Sequence, residues 1–135
     1  MVVSIAHAAL RVVDMERSLD FYCRVVGLTK AFEIPKDGRP WIVYLKVCPG
    51  QFVELFYNGV RDDAPAVPDR AGFAHLCLQV DDVPATARRL ADCGVRVTYG
   101  PVQGSDRNWQ CWADDPDGNP IEFMQVDPES PQARS

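Results

Sequence analysis

The chain is 135 residues long, 47% hydrophobic and 24% charged, with a formal net charge of -5. That length and balance describe a single globular domain with a real core, residues 1–135, while the acidity and the lack of any long basic run among 11 arginines and 3 lysines argue against a nucleic-acid footprint. The chain opens directly on Val2-Val3-Ser4-Ile5, and no apolar run reaches membrane-spanning length, so a cytoplasmic protein with no membrane partner is expected.

Residues 5–13 read as a strand. Asp14 then caps a helix with Met15, Leu19, Tyr22 and Val26 facing inward and Glu16, Arg17, Asp20 and Arg24 facing water, closed by Gly27. Residues 28–34 look like a short strand, followed by a polar loop from Pro35 to Pro40. Residues 41–47 and 51–57 make a hairpin through Cys48-Pro49-Gly50, rich in β-branched and aromatic residues. Module one is therefore β-α-β-β-β over 4–58. The acidic, proline-containing stretch 59–72 reads as a linker.

The same order then repeats over 73–126. A strand at 73–80 leads to Asp82, and a second helix turns Val83, Ala87 and Leu90 inward and Arg88, Arg89 and Asp92 outward before Gly94. Strand 95–99, a loop at 100–107, strand 108–113, the turn Asp114 to Pro120 and strand 121–126 complete module two, and 127–135 is expected to be a flexible, frayed tail. Five cysteines, at 23, 48, 77, 93 and 111, form no Cys-x-x-Cys pair and are odd in number, which argues against a disulfide framework or a zinc knuckle. Small buried hydrophobes is the better reading. Cys77, two residues after His75 and on the same strand face by alternation, is a pocket wall or, less readily, a ligand.

Two stretches of the modules align without a gap. Ile5-Ala6-His7-Ala8-Ala9-Leu10-Arg11-Val12-Val13-Asp14 recurs 68 positions later as Phe73-Ala74-His75-Leu76-Cys77-Leu78-Gln79-Val80-Asp81-Asp82, and Phe52-Val53-Glu54-Leu55-Phe56 falls on Pro120-Ile121-Glu122-Phe123-Met124. The two histidines of the chain, His7 and His75, each precede a glutamate by 47 positions. The spacing of the glutamates alone is modest evidence, since five scattered at random contain such a pair with odds below about one in ten. The ungapped neighbours make it an internal duplication. Two imidazoles and two carboxylates brought together by pseudo-twofold symmetry suit a divalent transition metal, which favours mixed nitrogen and oxygen ligands. Strand alternation puts Ile5, Ala9 and Arg11 on the His7 face, Phe52, Phe56 and Asn58 on the Glu54 face, and Phe73, Cys77, Gln79 and Met124 on the matching faces of module two. Arg11 is then placed either to hold a substrate carboxylate or to pair with a nearby acid, and Asn58 to bind substrate or cap a turn.

This pattern resembles the vicinal oxygen chelate superfamily, and within it the short bacterial type of glyoxalase I, the lactoylglutathione lyases. The resemblance runs to about residue 126 and rests on His7, Leu10-Arg11-Val12, Asp14, Ser18-x-Asp20-Phe21-Tyr22, Val26-Gly27-Leu28, Glu54-Leu55-x-Tyr57-Asn58, Gly72-x-x-His75, Gly100-Pro101-Val102 and Asp115-Pro116-Asp117-Gly118 running into Ile121-Glu122. It implies two tandem βαβββ modules forming a curved eight-stranded sheet or half-barrel around a metal held by His7, Glu54, His75 and Glu122. The metal would be nickel or cobalt, alternatively zinc, manganese or iron, and the co-substrate glutathione or another thiol. The implied reaction turns a methylglyoxal-thiol hemithioacetal into a lactoyl thioester. Glu122 by preference, or Glu54, moves the proton, and Arg11, Asn58, Phe56, Met124 and Arg107 contact substrate. The implied assembly is a homodimer with sites at the subunit interface. Where the resemblance leads one to expect a lysine the chain has Gln103, and Arg107 offers the compensating cation. The alternatives are a related metalloenzyme acting as epimerase, thiol transferase or dioxygenase on another small molecule, and a resistance protein that binds a small molecule.

Overall fold

A computed structural model of the chain describes residues 1–61 and 71–135; the middle of the expected linker, 62–70, lies outside the described residues. By internal contacts the chain divides into two compact units, Met1–Pro68 and Asp69–Ser135. The class is α+β, with one four-stranded sheet in each unit.

The first unit runs β1 (His7–Arg11), α1 (Met15–Leu19), a π-helical segment (Asp20–Val25), β2 (Thr29–Lys36), β3 (Arg39–Cys48) and β4 (Gln51–Phe56). Its sheet has the order β1-β4-β3-β2, with β1 parallel to β4 and the other pairs antiparallel. Asp14 caps α1 as expected, its Oδ1 accepting from the Arg17 amide at 3.1 Å. The single regular helix expected over 15–26 does not form. After Leu19 the backbone widens to i→i+5 bonding, with the Val26 amide donating to the Phe21 carbonyl at 2.9 Å. The wider turn shifts the phase of the buried face, so Phe21, Tyr22 and Val25 are buried and Val26 is only partly so. With Val12, Val43, Leu45, Val53 and Leu55 they form the core of this unit. The loop expected from Pro35 to Pro40 is also shorter than the composition implied. Strands β2 and β3 continue to a two-residue turn at Asp37 and Gly38, with φ of 52° and 71°, the mirror-image turn whose twist suits a hairpin.

The second unit runs β5 (Leu76–Gln79), α2 (Val83–Asp92), β6 (Val97–Gln103), β7 (Trp109–Asp114) and β8 (Pro120–Gln125), in the order β5-β8-β7-β6. Residue for residue this is the strand order of the first sheet. Asp82 caps α2, accepting from the Ala85 amide at 2.7 Å, and Val83, Ala87 and Leu90 are buried as the spacing predicts. Strand β5 begins at Leu76, so Phe73 and His75 lie just ahead of it. Strand β6 extends through Gly100 into the stretch expected to be loop. Only glycine serves there: φ is 77°, and a Cβ would stand 2.4 Å from the Gln110 carbonyl oxygen of β7. Between β7 and β8 the buried Asp115 carboxylate accepts from the Asp117 and Asn119 amides at 2.9 and 2.8 Å and from the Asn119 side chain at 2.9 Å. That Asx-type turn fixes where β8, and therefore Glu122, begins.

The frayed tail expected at 127–135 is instead tied to the sheet. Asn108 is fully buried; its Oδ1 accepts from the Asp127 amide at 2.9 Å, and its Nδ2 donates to Gln132 at 3.2 Å and to Asp106 at 2.8 Å. Ser130 is buried as well, and its hydroxyl accepts from the Ala133 amide. Composition reads this segment as polar and proline-flanked, and a single buried amide reverses that. Asn108→Ala strips three hydrogen bonds at a buried position, and about 2 kcal/mol of stability is expected to go with them, measured as a lowered urea midpoint at unchanged m-value.

Candidate functional site

In the first unit His7 opens β1 and Glu54 sits in the middle of β4, on the same sheet face because the parallel register sets His7 beside Phe52 and Ala9 beside Glu54. The His7 Nε2 is 3.3 Å from the Glu54 Oε2. In the second unit His75 Nε2 is 3.0 Å from Glu122 Oε2. Both carboxylates are buried, with 5% and 6% of their surface exposed, whereas the imidazoles remain part exposed. An acid so shielded from water is costly unless a cation or hydrogen-bond donor faces it.

The donor set also fits a metal. Two ligand atoms in neighbouring octahedral positions, each about 2.1 Å from the ion, stand about 3.0 Å apart, which is the spacing within each His–Glu pair. Among the described residues no unit gathers three or more of His, Cys, Asp and Glu. Each unit by itself thus presents one His–Glu pair.

The partners of the two pairs differ. In the first unit Tyr44 of β3 lies in register with Glu54 and meets the His7 ring edge-on at 5.9 Å. The neighbouring Glu54 carboxylate, then desolvation, raises the Tyr44 hydroxyl above its ordinary pKa. Phe32 stacks on Tyr44 at 4.4 Å, and Phe52 packs edge-on against both. In the second unit the position of Tyr44 is taken by Trp112, in register with Glu122 and edge-on to His75 at 4.7 Å, but its indole N–H donates to Gln110 at 2.6 Å. Cys77, in register with Glu122, fills the place of Ala9. As a residue it is exposed, yet desolvation of the thiol and the adjacent Glu122 carboxylate push it up to about 12. Tyr44 and Trp112 are the residues that sequence reasoning missed. The signal was present in the duplication, since both lie ten positions before their glutamate.

Of the other expected contacts, Arg11 lies on the exposed face of β1 with its guanidinium over the Phe56 ring, 5.2 Å from the centroid. Among the described residues the guanidinium rests on an aromatic ring rather than on a nearby acid. Asn58 is exposed and holds a left-handed φ of 62°, a conformation an asparagine tolerates at the exit of a strand. Met124 follows Glu122 by two on β8 and is half-buried. Arg107 sits in the turn before β7 with φ of 75°, its carbonyl accepting from Gln103 at 2.8 Å.

Residues 4–123 match the family model described as the glyoxalase/bleomycin resistance protein/dioxygenase superfamily. A lactoylglutathione lyase from Haemophilus influenzae is 33% identical over 128 residues, covering 90% of this chain and 91% of its own. The uncharacterized protein YaeR of Escherichia coli K12 is 28% identical over 120 residues, covering 88% of this chain and 93% of its own. Among solved structures, SMU.1112c superposes with a TM-score of 0.75 at 27% identity, covering 93% of this chain and all of the other. With a duplicated β-α-β-β-β order, a His–Glu pair in each unit and a family match over nearly its whole length, the chain belongs to the glyoxalase/bleomycin resistance protein/dioxygenase superfamily.

Proposed function

We propose that the chain is a metal-dependent lyase of the glyoxalase I type, which isomerises the hemithioacetal of methylglyoxal and a thiol, glutathione or a close analogue, to the lactoyl thioester. One observation carries the reading: a buried carboxylate faces an imidazole at ligand spacing in each of the two duplicated units. His7, Glu54, His75 and Glu122 would hold one divalent ion, nickel or cobalt first, with zinc, manganese or iron as alternatives. When bound, the ion supplies a Lewis acid that stabilises negative charge on the two vicinal substrate oxygens. Glu122 takes the proton from C1 and returns it to C2, while the hydroxyl proton passes from O1 to O2. The net change is an isomerisation that needs no oxidant. Arg11, resting on Phe56, holds a carboxylate of the thiol moiety with help from Asn58, Arg107 supplies a second cation, and Phe56 and Met124 form the apolar walls. The relatives named lactoylglutathione lyase support the same reaction. No helix among the described residues is long and apolar enough to cross a membrane, and we place the enzyme in the cytoplasm as a homodimer.

The test is elemental analysis of the purified protein, with a methylglyoxal plus glutathione assay after reconstitution with nickel, cobalt or zinc. Stoichiometric metal and thioester formation is the expected result. Metal without thioester formation would move the protein to a relative acting on another vicinal oxygen substrate, and a protein that takes up none of the three ions would be a small-molecule binder. In the same experiment His75→Ala is expected to lower metal content and Cys77→Ala to leave it unchanged, because Ala9 occupies the equivalent place in the first unit and offers no donor. Metal lost from Cys77→Ala would put the thiol in the ligand set.

A further inference from the structure

We propose that the C-terminal segment 127–135 is a strap that acts through Asn108 to hold Arg107 as the selector of a carboxylate-bearing co-substrate; this rests on the lyase reading above. Arg107 lies in the turn between β6 and β7, and that turn is closed on itself. The Gly104 amide donates to the Asn108 carbonyl at 2.8 Å, the Arg107 amide to the Gly104 carbonyl at 3.0 Å, and the Gln103 side chain to the Arg107 carbonyl at 2.8 Å. Arg107 is thereby kept at a φ of 75°, in the left-handed region. An exposed position of that kind is filled at least cost by Gly or Asn. Arginine there is explained by its guanidinium, which is in the open and enters no ion pair among the described residues.

A residue in so sparsely populated a conformation persists only where its surroundings over-determine it, and here they include the end of the chain. The backbone amide and the side-chain Nδ2 of the buried Asn108 donate to the two oxygens of the Asp106 carboxylate at 3.2 and 2.8 Å, which brackets Arg107 between two bonded neighbours. The same Asn108 side chain takes the Asp127 amide at 2.9 Å and reaches Gln132 at 3.2 Å. Beyond that anchor the tail is folded on itself, the Ser130 amide donating to the Asp127 carbonyl at 2.9 Å and Glu129 pairing with Arg134. On its other side the turn has no slack. A Cβ on Gly104 would stand 2.6 Å from the Gln110 side-chain nitrogen, and Gln110 accepts from Trp112, whose ring lies edge-on to His75. The turn is thus packed two side chains away from the His75–Glu122 pair. A guanidinium whose backbone is fixed in advance gives up less freedom when a carboxylate docks on it.

The experiment compares initial rates of the full-length, metal-reconstituted protein on the methylglyoxal adducts of glutathione and of glutathione diethyl ester, whose carboxylates are masked. Arg107→Gln is expected to raise KM about tenfold for the glutathione adduct and far less for the diester, with kcat changed less than KM. Asp127→Pro removes the N–H that Asn108 accepts from, and Gln132→Ala removes the acceptor; the double variant keeps Asn108 and the full chain. It is expected to raise KM about threefold for the glutathione adduct alone, to speed hydrogen exchange of residues 104–108, and to add no selectivity in an Arg107→Gln background. Gln132→Ala by itself, the milder change, should move in the same direction. Losses that are equal on the two adducts, or selective losses that add across the two backgrounds, would overturn the role of the tail, and an unselective Arg107→Gln would overturn that of Arg107. Wild-type protein that turns over neither adduct would overturn the lyase reading, and the selector with it.

Discussion

Glu54→Gln and Glu122→Gln are each expected to lower kcat/KM by at least about a hundredfold while leaving the fold intact. An amide in either place keeps the size of the side chain and most of its packing, so the buried positions in β4 and β8 are still filled. What is lost is the negative charge that faces the histidine and, on the proposed reading, would hold the cation and, at Glu122, accept the proton, a class of contribution worth about 100 to 10,000-fold. The two should fail in different ways. Glu54→Gln is expected to lose metal, so that its activity depends steeply on added ion. Glu122→Gln is expected to lose both metal and chemistry, so that saturating ion does not repair it. Metal content by mass spectrometry alongside initial rates separates the two. Near wild-type rates from both single variants would remove the carboxylates from the mechanism altogether.

The second large effect is expected from mixing two inactive proteins. If each site combines unit one of one subunit with unit two of its partner, a heterodimer of a His7→Ala chain and a Glu122→Ala chain collects both lesions in one site and recovers all four ligands in the other. Activity should then return, toward a quarter of the wild-type level for random exchange: about half of the dimers are mixed, with one good site in each. Apolar side chains left in the open argue for such an assembly. Phe73 is 70% exposed, and Phe32, Trp41 and Trp109 are each more than a third exposed. Surface of that kind is covered in a stable soluble protein. Mixing that restores nothing despite proven subunit exchange would favour sites built within single chains.

The sequence by itself determined the duplication, the class, the order of elements along the two β-α-β-β-β modules, and the identity of both His–Glu pairs. Each of these is a matter of period or register. Alternation every two residues assigns faces in a strand, and an ungapped repeat copies that assignment from one unit to the other. The Asp14 and Asp82 caps were equally legible, since capping is a contact within one turn of chain. The tertiary structure decided what depends on contacts distant in sequence. The π-helical segment at Asp20–Val25 follows from how that stretch settles against its own sheet, and no propensity scale distinguishes it from a regular helix. The tail is ordered because Asn108, 19 positions before Asp127, is buried where it can reach that amide. The cross-strand neighbours of the two glutamates differ, Tyr44 beside Glu54 and Trp112 beside Glu122. Which hydroxyl or indole finds an acceptor depends on its position to within about 0.5 Å, and only the folded sheet sets that.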